Sequence, residues 1–226
     1  MNTRVPLVVS FLLVLLMLAA SAYAWTVVPP DARIAVHWDV DGHANGFAHK
    51  PFGLLFGPAF AAGLSLILAV VALVEPRLSN LAASAKFFAV AWTGGVAVIA
   101  VAHGVILATA LHAVFDVGAV VISAVSVLFI VIGNFIGKSR SNFTAGVRTP
   151  WTLSSEYSWE HSNRLAGRLF MASGAATLAA IFVLSVKFAT FLLLVLIVGS
   201  SAIAIVMSYV YWRNDPERSP GNGTMR

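Results

Sequence analysis

The sequence contains no cysteine. Disulfides, thiolate metal sites and thiol nucleophiles are therefore excluded. Charge is scarce as well: only 10% of the 226 residues are Asp, Glu, Lys or Arg, against about 25% in an ordinary soluble domain. That shortage excludes a conventional soluble fold with a solvated surface. Acidic residues are the rarer sign, nine against fourteen basic, which leaves a formal net charge of +5. In a soluble chain this excess would point to nucleic acid. In an oily chain it points to basic loops at an anionic membrane surface, so no direct nucleic-acid binding is expected. There is no HExxH pair, Asp39-x-Asp41-Gly42 is too incomplete for an EF-hand loop, and no internal repeat or pair of interrupted helices marks a transporter.

What the sequence has instead is long apolar runs, with 59% hydrophobic residues overall. A helix needs about 20 apolar residues to cross the hydrocarbon core. Six segments approach that length: Val5–Val28, Leu54–Val74, Phe87–Leu111, Val117–Ile136, Leu165–Val186 and Phe188–Trp212. The predicted fold class is an all-α, polytopic membrane helix bundle of about six spans. The last two spans are separated by little more than Lys187, which implies a tight turn or a shared helical run. Ala22-Tyr23-Ala24 resembles a signal-peptidase site, but the apolar stretch continues to Val28, so the first segment reads as a retained helix. The stretch from Arg213, with Asp215, Pro216, Pro220, Gly221 and Gly223, reads as a short disordered tail.

Basic residues orient the chain. With the N-terminus inside, eleven of the fourteen Lys and Arg residues fall on the inner face and only Arg33, Lys50 and Lys187 on the outer one. Both termini are then cytoplasmic. Gly53-x-x-x-Gly57 and Gly133-x-x-x-Gly137 have the small-residue spacing that lets helices approach closely.

The outer segment 29–53 begins with Pro29-Pro30, which ends the first helix. Asp41-Gly42 and Asn45-Gly46 are turn dipeptides, so a compact loop carrying a strand-like segment or a small hairpin is expected. It holds His37, Asp39, His43 and His49, residue types that can bind zinc. Their spacing matches no zinc signature, so no cofactor is expected and zinc at these four is the one exception worth testing.

The inner segment 137–164 is the most polar part of the chain. Thr149, Thr152, Ser154 and Ser155 can cap a helix, Pro150 suits its first turn and Glu156 suits its positive end. Glu160 and Arg164 are four apart in the favourable order, and Arg168 continues that face. Trp151 and Trp159 suit a membrane–water boundary. Arg148 beside a helix N-terminus would make an anion site for a lipid phosphate or an acidic partner.

The run Gly133-Asn134, Asn142-Phe143, Gly146-Val147-Arg148-Thr149-Pro150-Trp151-Thr152-Leu153, Trp159 and Arg164-Leu165-Ala166-Gly167 closely resembles the signature of the SdpI family. Pro30, Ile34, His37, Trp38, Gly42, Gly46 and Lys50 resemble the small domain of unknown function that often lies upstream in that family. Ala35 stands where the family often has Pro, and Asn163 where many members have His. The resemblance implies a six-helix, multi-pass protein of the bacterial inner membrane, without enzymatic activity. The family's namesake protects cells from a secreted toxic peptide and holds a cytoplasmic transcriptional repressor at the membrane. By that resemblance His37, Trp38, Gly42 and Lys50 are the candidates for an outer ligand. Asn134, Lys138, Asn142, Arg148, Pro150, Trp151, Trp159, Arg164 and Arg168 are the candidates for a cytoplasmic partner or membrane lipid. Toxin-peptide immunity, signal transduction or both are expected. The alternatives are a transporter or channel, for which His103 is the lone intramembrane candidate, and a metalloenzyme using the outer His/Asp cluster.

Overall fold

A computed structural model describes residues 3–218. In chain order the elements are α1 (Arg4–Val27), a hairpin of β1 (Arg33–Trp38) and β2 (Ala44–His49), α2 (Lys50–Val74), a short α3 (Leu78–Ala83), α4 (Ala85–Ala110), α5 (Val117–Ile136), a short α6 (Pro150–Ser154), α7 (Glu156–Ile181) and α8 (Val186–Arg213). Helices α1, α2, α4, α5 and α8 are each long and apolar enough to cross a membrane. Helix α7 is the sixth long helix. Its apolar part, from Leu165, packs between α5 and α8, while its first turns carry Glu156, Glu160, His161 and Arg164 and lie beyond it. The turn between α7 and α8 is tight, because Ser185 accepts a hydrogen bond from the Phe188 amide and starts α8 at once.

The long helices pack as two groups. Helices α1, α2 and α4 pack on one another, as do α5, α7 and α8, and the groups meet along α4 and α5. The first group is held by large side chains: Phe88, Trp92, Val96 and Met17 form one core, and Leu54, Leu107, Val28 and Ile34 another. The second group is held by small ones. A Cβ added at Gly133 would lie 2.6 Å from the Gly167 carbonyl, and one at Gly174 2.5 Å from the Ser126 carbonyl. With no side chain between them, α5 and α7 approach backbone to backbone, the geometry small residues permit in a membrane.

One polar cluster lies inside the first group. Pro58, in the middle of α2, has no N–H to offer the Leu54 carbonyl one turn earlier. The Ser21 hydroxyl of α1 donates to that carbonyl at 2.6 Å. Having given its one proton away, Ser21 accepts from His103 Nε2 of α4, 2.9 Å distant. The buried imidazole thus belongs to a relay that repairs the break proline makes in the helix ladder.

The outer segment, expected to carry a strand-like piece or a small hairpin, takes the hairpin form: two antiparallel strands in which Arg33 faces His49 and Trp38 faces Ala44. Ile34 anchors it on α2, where a Cβ at Gly53 would meet its side chain at 2.9 Å. The hairpin shares one end of the bundle with the α4–α5 and α7–α8 turns. The other end gathers α3, the 137–149 loop, α6 and the C-terminal end of α8. Arg33, Lys50 and Lys187 sit at the hairpin end, and the remaining described Lys and Arg residues lie at or toward the opposite, basic end. The expected disordered tail is ordered as far as Arg218: Pro216–Arg218 form a 3-10 turn, and buried Asp215 accepts a 2.5 Å hydrogen bond from Ser155. Residues 219–226 lie outside the described residues.

Candidate functional sites

At the hairpin end a cleft of about 830 Å³ opens between the hairpin turn, α4, α5 and the start of α8. Its floor is apolar, with Val105, Ile106, Val121, Ile122 and Ile181, and its rim carries His37, Asp39, Asp41, Asp116 and Lys187. Lys187 Nζ lies 3.0 Å from Asp41 Oδ1 and ties the hairpin turn to α8. Asp39 accepts the His43 and Asp41 amides, each at 2.9 Å. The His43 amide is the main cause that holds its carboxyl below the ordinary aspartate range.

Of the outer candidates, His37, Trp38 and Gly42 line this cleft. Lys50 does not. It is buried at the start of α2, donates to the Val28 carbonyl at 2.5 Å and stacks over Trp25, so it closes the end of α1 instead of meeting a ligand. The four candidate zinc ligands are not brought together. His37 is hydrogen-bonded to Asn45, Asp39 faces His43 at 3.7 Å, and His49 pairs with Arg33. Arg33 is four residues along the strand from His37, roughly 13 Å at strand rise. Among the described residues no three His, Asp or Glu side chains could hold a metal ion.

At the basic end the 137–149 loop is clamped to the other helix group. Buried Glu75, just past α2, accepts hydrogen bonds from the Phe143 amide at 3.0 Å, the Arg77 amide at 3.1 Å and the Thr144 hydroxyl. Burial opposes its ionisation, but these three donors and the Arg77 charge outweigh it and leave the carboxyl below the ordinary glutamate range. Arg77 also donates to Ser141 and to the Leu153 carbonyl, and its guanidinium lies 4.7 Å from the Phe143 ring centroid. Asn80 donates to the Ser141 carbonyl, and Ser84 accepts the Arg140 amide.

Within the loop, Asn142 is fully buried and accepts the Thr144 and Ala145 amides. Gly146 has φ +127°, and a Cβ there would strike Asn163 and Trp159. Asn163 accepts the Val147 amide at 2.8 Å, and Trp159 donates to the Ser139 carbonyl at 2.9 Å. Two sequence expectations are corrected here. Asn142 and Trp159 are buried supports of the loop and not exposed contact residues, although Trp159 also reaches the wall of the second cavity. Thr149 and Thr152 form a capping box with Pro150 at the first turn of α6, and Thr149 contacts Ser208 of α8 at 3.0 Å. Arg148 is exposed and donates to the Phe143 carbonyl, Pro150 is exposed, and Trp151 packs edge-on against Tyr209.

A second cavity of about 450 Å³ opens beside α5 and α7. It brings together Asn134, Lys138, Arg164 and Arg168 of the predicted set, with Trp159 in its wall, and adds Arg140, Glu156 and Glu160. Arg148, Pro150 and Trp151 lie elsewhere on the same end. Sequence reasoning missed Glu75, Arg77, Asn80 and Ser84. One signal was available: Glu75 is the sole acidic residue between Asp41 and Asp116.

Long apolar helices in two packed groups, with polar segments gathered at two ends, define a multi-pass integral membrane protein. Residues 138–210 match the SdpI/YfhL protein family, and residues 12–62 match a domain of unknown function, DUF1648. The Immunity protein SdpI of Bacillus subtilis (strain 168) is 28% identical over 89 residues, 39% of this chain and 42% of that protein. No solved structure matches the chain. The two family matches and the curated relative together support an SdpI-family assignment. The DUF1648 match takes in most of α1, the hairpin and the first half of α2; the SdpI match takes in the loop, α6, α7 and most of α8.

Proposed function

We propose that the protein is an SdpI-like immunity or signalling protein of the bacterial inner membrane, working by binding and conformational change, without catalysis. The hairpin end faces outward and the basic end the cytoplasm, as the distribution of Lys and Arg favours. The observation that carries the reading is the hairpin-end cleft. It lies between the two helix groups, with an apolar floor and a rim of three aspartates against one lysine and one histidine. That chemistry suits a cationic, amphipathic peptide, the composition common among membrane-active toxins.

The cleft's position supplies a route for a signal. The hairpin of the first group reaches over to Lys187 of the second, and the 137–149 loop of the second reaches back to Glu75 and Arg77 after α2. A peptide seated in the cleft changes the balance between two arrangements of the groups only as far as it prefers one of them. The edge formed by exposed Arg148 and Pro150 and half-buried Trp151 is where a cytoplasmic repressor would sense that change. His103 has a structural role through its Nε2 bond to Ser21, which weakens it as the intramembrane marker of the transporter reading.

The test is survival of a peptide-sensitive bacterium carrying the chain, challenged with cationic membrane-active peptides. Protection by the wild type, lost when Val121→Trp fills the cleft at unchanged abundance, is the expected result. Equal killing with and without the protein across the peptide panel removes immunity from the reading. Capture of a purified candidate repressor, weakened by Trp151→Ala, tests signalling separately.

A further inference from the structure

We infer that the second cavity is a binding site for the phosphate headgroup of an anionic phospholipid. The close approach of Gly137 to Arg164, where an added Cβ would lie 3.1 Å from the arginine Cα, brings side chains of two helices into one cleft. Asn134 and Lys138 come from the end of α5, Arg164 and Arg168 from α7, and Arg140 from the loop between them. Arg164 is paired with Glu160. The guanidinium groups of Arg140 and Arg168 and the Asn134 amide have no hydrogen-bond or ionic partner among the described residues. Lys138 has only the Phe135 ring, 5.2 Å away. Against the carboxylates of Glu156 and Glu160, of which Glu160 is taken by Arg164, the cleft still holds an excess of positive charge and several unspent donors.

Arginine's planar fork matches phosphate oxygens better than a point charge does. Basic side chains at a membrane surface each attract anionic lipid, and here several do so from one concavity. The depth of the site selects lipid over a soluble partner. Arg168 lies one helical turn beyond Arg164, about 6 Å further toward the apolar part of α7. Met171 forms the floor just past it, and Val131 of α5 is exposed alongside. A phosphate at Arg140 and Arg168 would lay its acyl chains over Met171 and the apolar helix faces. An acidic protein segment reaching Arg168 would have to enter hydrocarbon. The inference needs only that the basic end meets a membrane surface, and so stands apart from the immunity reading.

Native mass spectrometry of the full chain, released from micelles with equal phosphatidylglycerol and phosphatidylcholine, tests it. Preferential retention of phosphatidylglycerol is expected, falling about fivefold in Arg168→Gln. Asn134→Asp, which adds a negative charge at an exposed position, should weaken it comparably, and Arg168→Lys should keep most of it. An unchanged thermal transition in each variant shows that the fold is intact. Equal retention of the two lipids by the wild type overturns the assignment, as does undiminished preference in both Arg168→Gln and Asn134→Asp. Displacement by inorganic phosphate as effective as by short-chain phosphatidylglycerol would give the cleft to a free anion instead. Absence of lipid preference together with Arg168-dependent binding of polyglutamate would give it to an acidic protein.

Discussion

The Pro58–Ser21–His103 relay makes a quantitative prediction that a double-mutant cycle can test. Ser21→Ala removes the donor to the Leu54 carbonyl and the acceptor for His103 Nε2. Leaving a buried polar group unpaired costs about 1–3 kcal/mol, while hydrogen bonds measured inside membrane bundles average nearer 0.6 kcal/mol. With two groups affected, a loss of about 2 kcal/mol is expected. In a Pro58→Ala background the picture changes. The alanine restores a backbone N–H placed to bond the Leu54 carbonyl in the ordinary helical way, so Ser21→Ala orphans only the histidine. The same substitution should then cost about 1 kcal/mol, giving a coupling of about 1 kcal/mol between positions 21 and 58 although one is on α1 and the other on α2. Reversible unfolding in mixed micelles gives all four stabilities. Additivity within about 0.3 kcal/mol would show that the hydroxyl does not serve the proline-freed carbonyl, and His103 would need another explanation.

Further outcomes follow from the two ends and the seam. Glu75 has a depressed folded-state value, so its stabilisation is complete above the ordinary value of 4.5 and is lost as the pH falls below that through the folded value. Hydrogen exchange of the Phe143 amide should therefore accelerate on acidification, and Glu75→Gln should abolish most of that pH dependence. Gly133→Val drives a side chain against the Gly167 carbonyl and the Met171 amide and should cost about 1–3 kcal/mol in unfolding measurements. Gly63→Ala, with nothing within 4 Å of the new Cβ, should be neutral or stabilising. Lys187→Ala breaks a half-exposed pair and should shift stability by less than about 1 kcal/mol, while raising proteolysis of the hairpin turn. Because the chain has no cysteine, single cysteines can be placed cleanly. In intact cells an impermeant maleimide should label position 43 and spare position 148, and the reverse pattern would invert the proposed orientation.

The parts of the structure legible from sequence are those governed by local rules. Apolar length located the long helices, and Pro29-Pro30, Thr149-Pro150 and Ser155 marked boundaries that the structure keeps. Clustering of Lys and Arg placed Lys138, Arg164 and Arg168 on one surface, and the cavity gathers them. What sequence could not supply is which polar groups face inward, because that depends on partners far along the chain. Glu75 meets Thr144 across 69 positions, and Ser21 meets His103 across 82. Asn142 and Trp159 carry the residue types of a binding surface, yet the packing of loop on helix turns both inside. Lys50 reads as a free cation until its ammonium is found on the Val28 carbonyl. Asp215 lies in a stretch rich in Pro and Gly, yet its bond to Ser155 and the short 3-10 turn that follows keep the chain ordered there.

Besides the α4–α5 packing, two polar links join the helix groups among the described residues, and their inequality bears on how the proposed signal could travel. At the hairpin end a single ion pair, Lys187 with Asp41, is half exposed on both sides, and such pairs are worth about 0–1 kcal/mol. At the basic end Glu75 is 4% exposed and receives three donors, while Arg77, Asn80 and Ser84 add further bonds to the same loop. Beside the α4–α5 packing that joins the groups along their length, the reach of the hairpin to α8 is therefore the weaker of the two polar links, and a proposed opening of the cleft would use it with the clamped end as the pivot. Opening the latch asks little of a ligand: a preference of about 1.4 kcal/mol for the open cleft changes the open-to-closed ratio tenfold. In the proposed mechanism the stronger clamp would stay closed during that motion, and a rotation of α7 and α8 about it would alter the attitude of α6 and the Arg148–Trp151 edge without breaking the loop's hydrogen bonds. Weakening the clamp, as Glu75→Gln does, should on this reasoning uncouple the cytoplasmic edge from the cleft while leaving peptide binding in place.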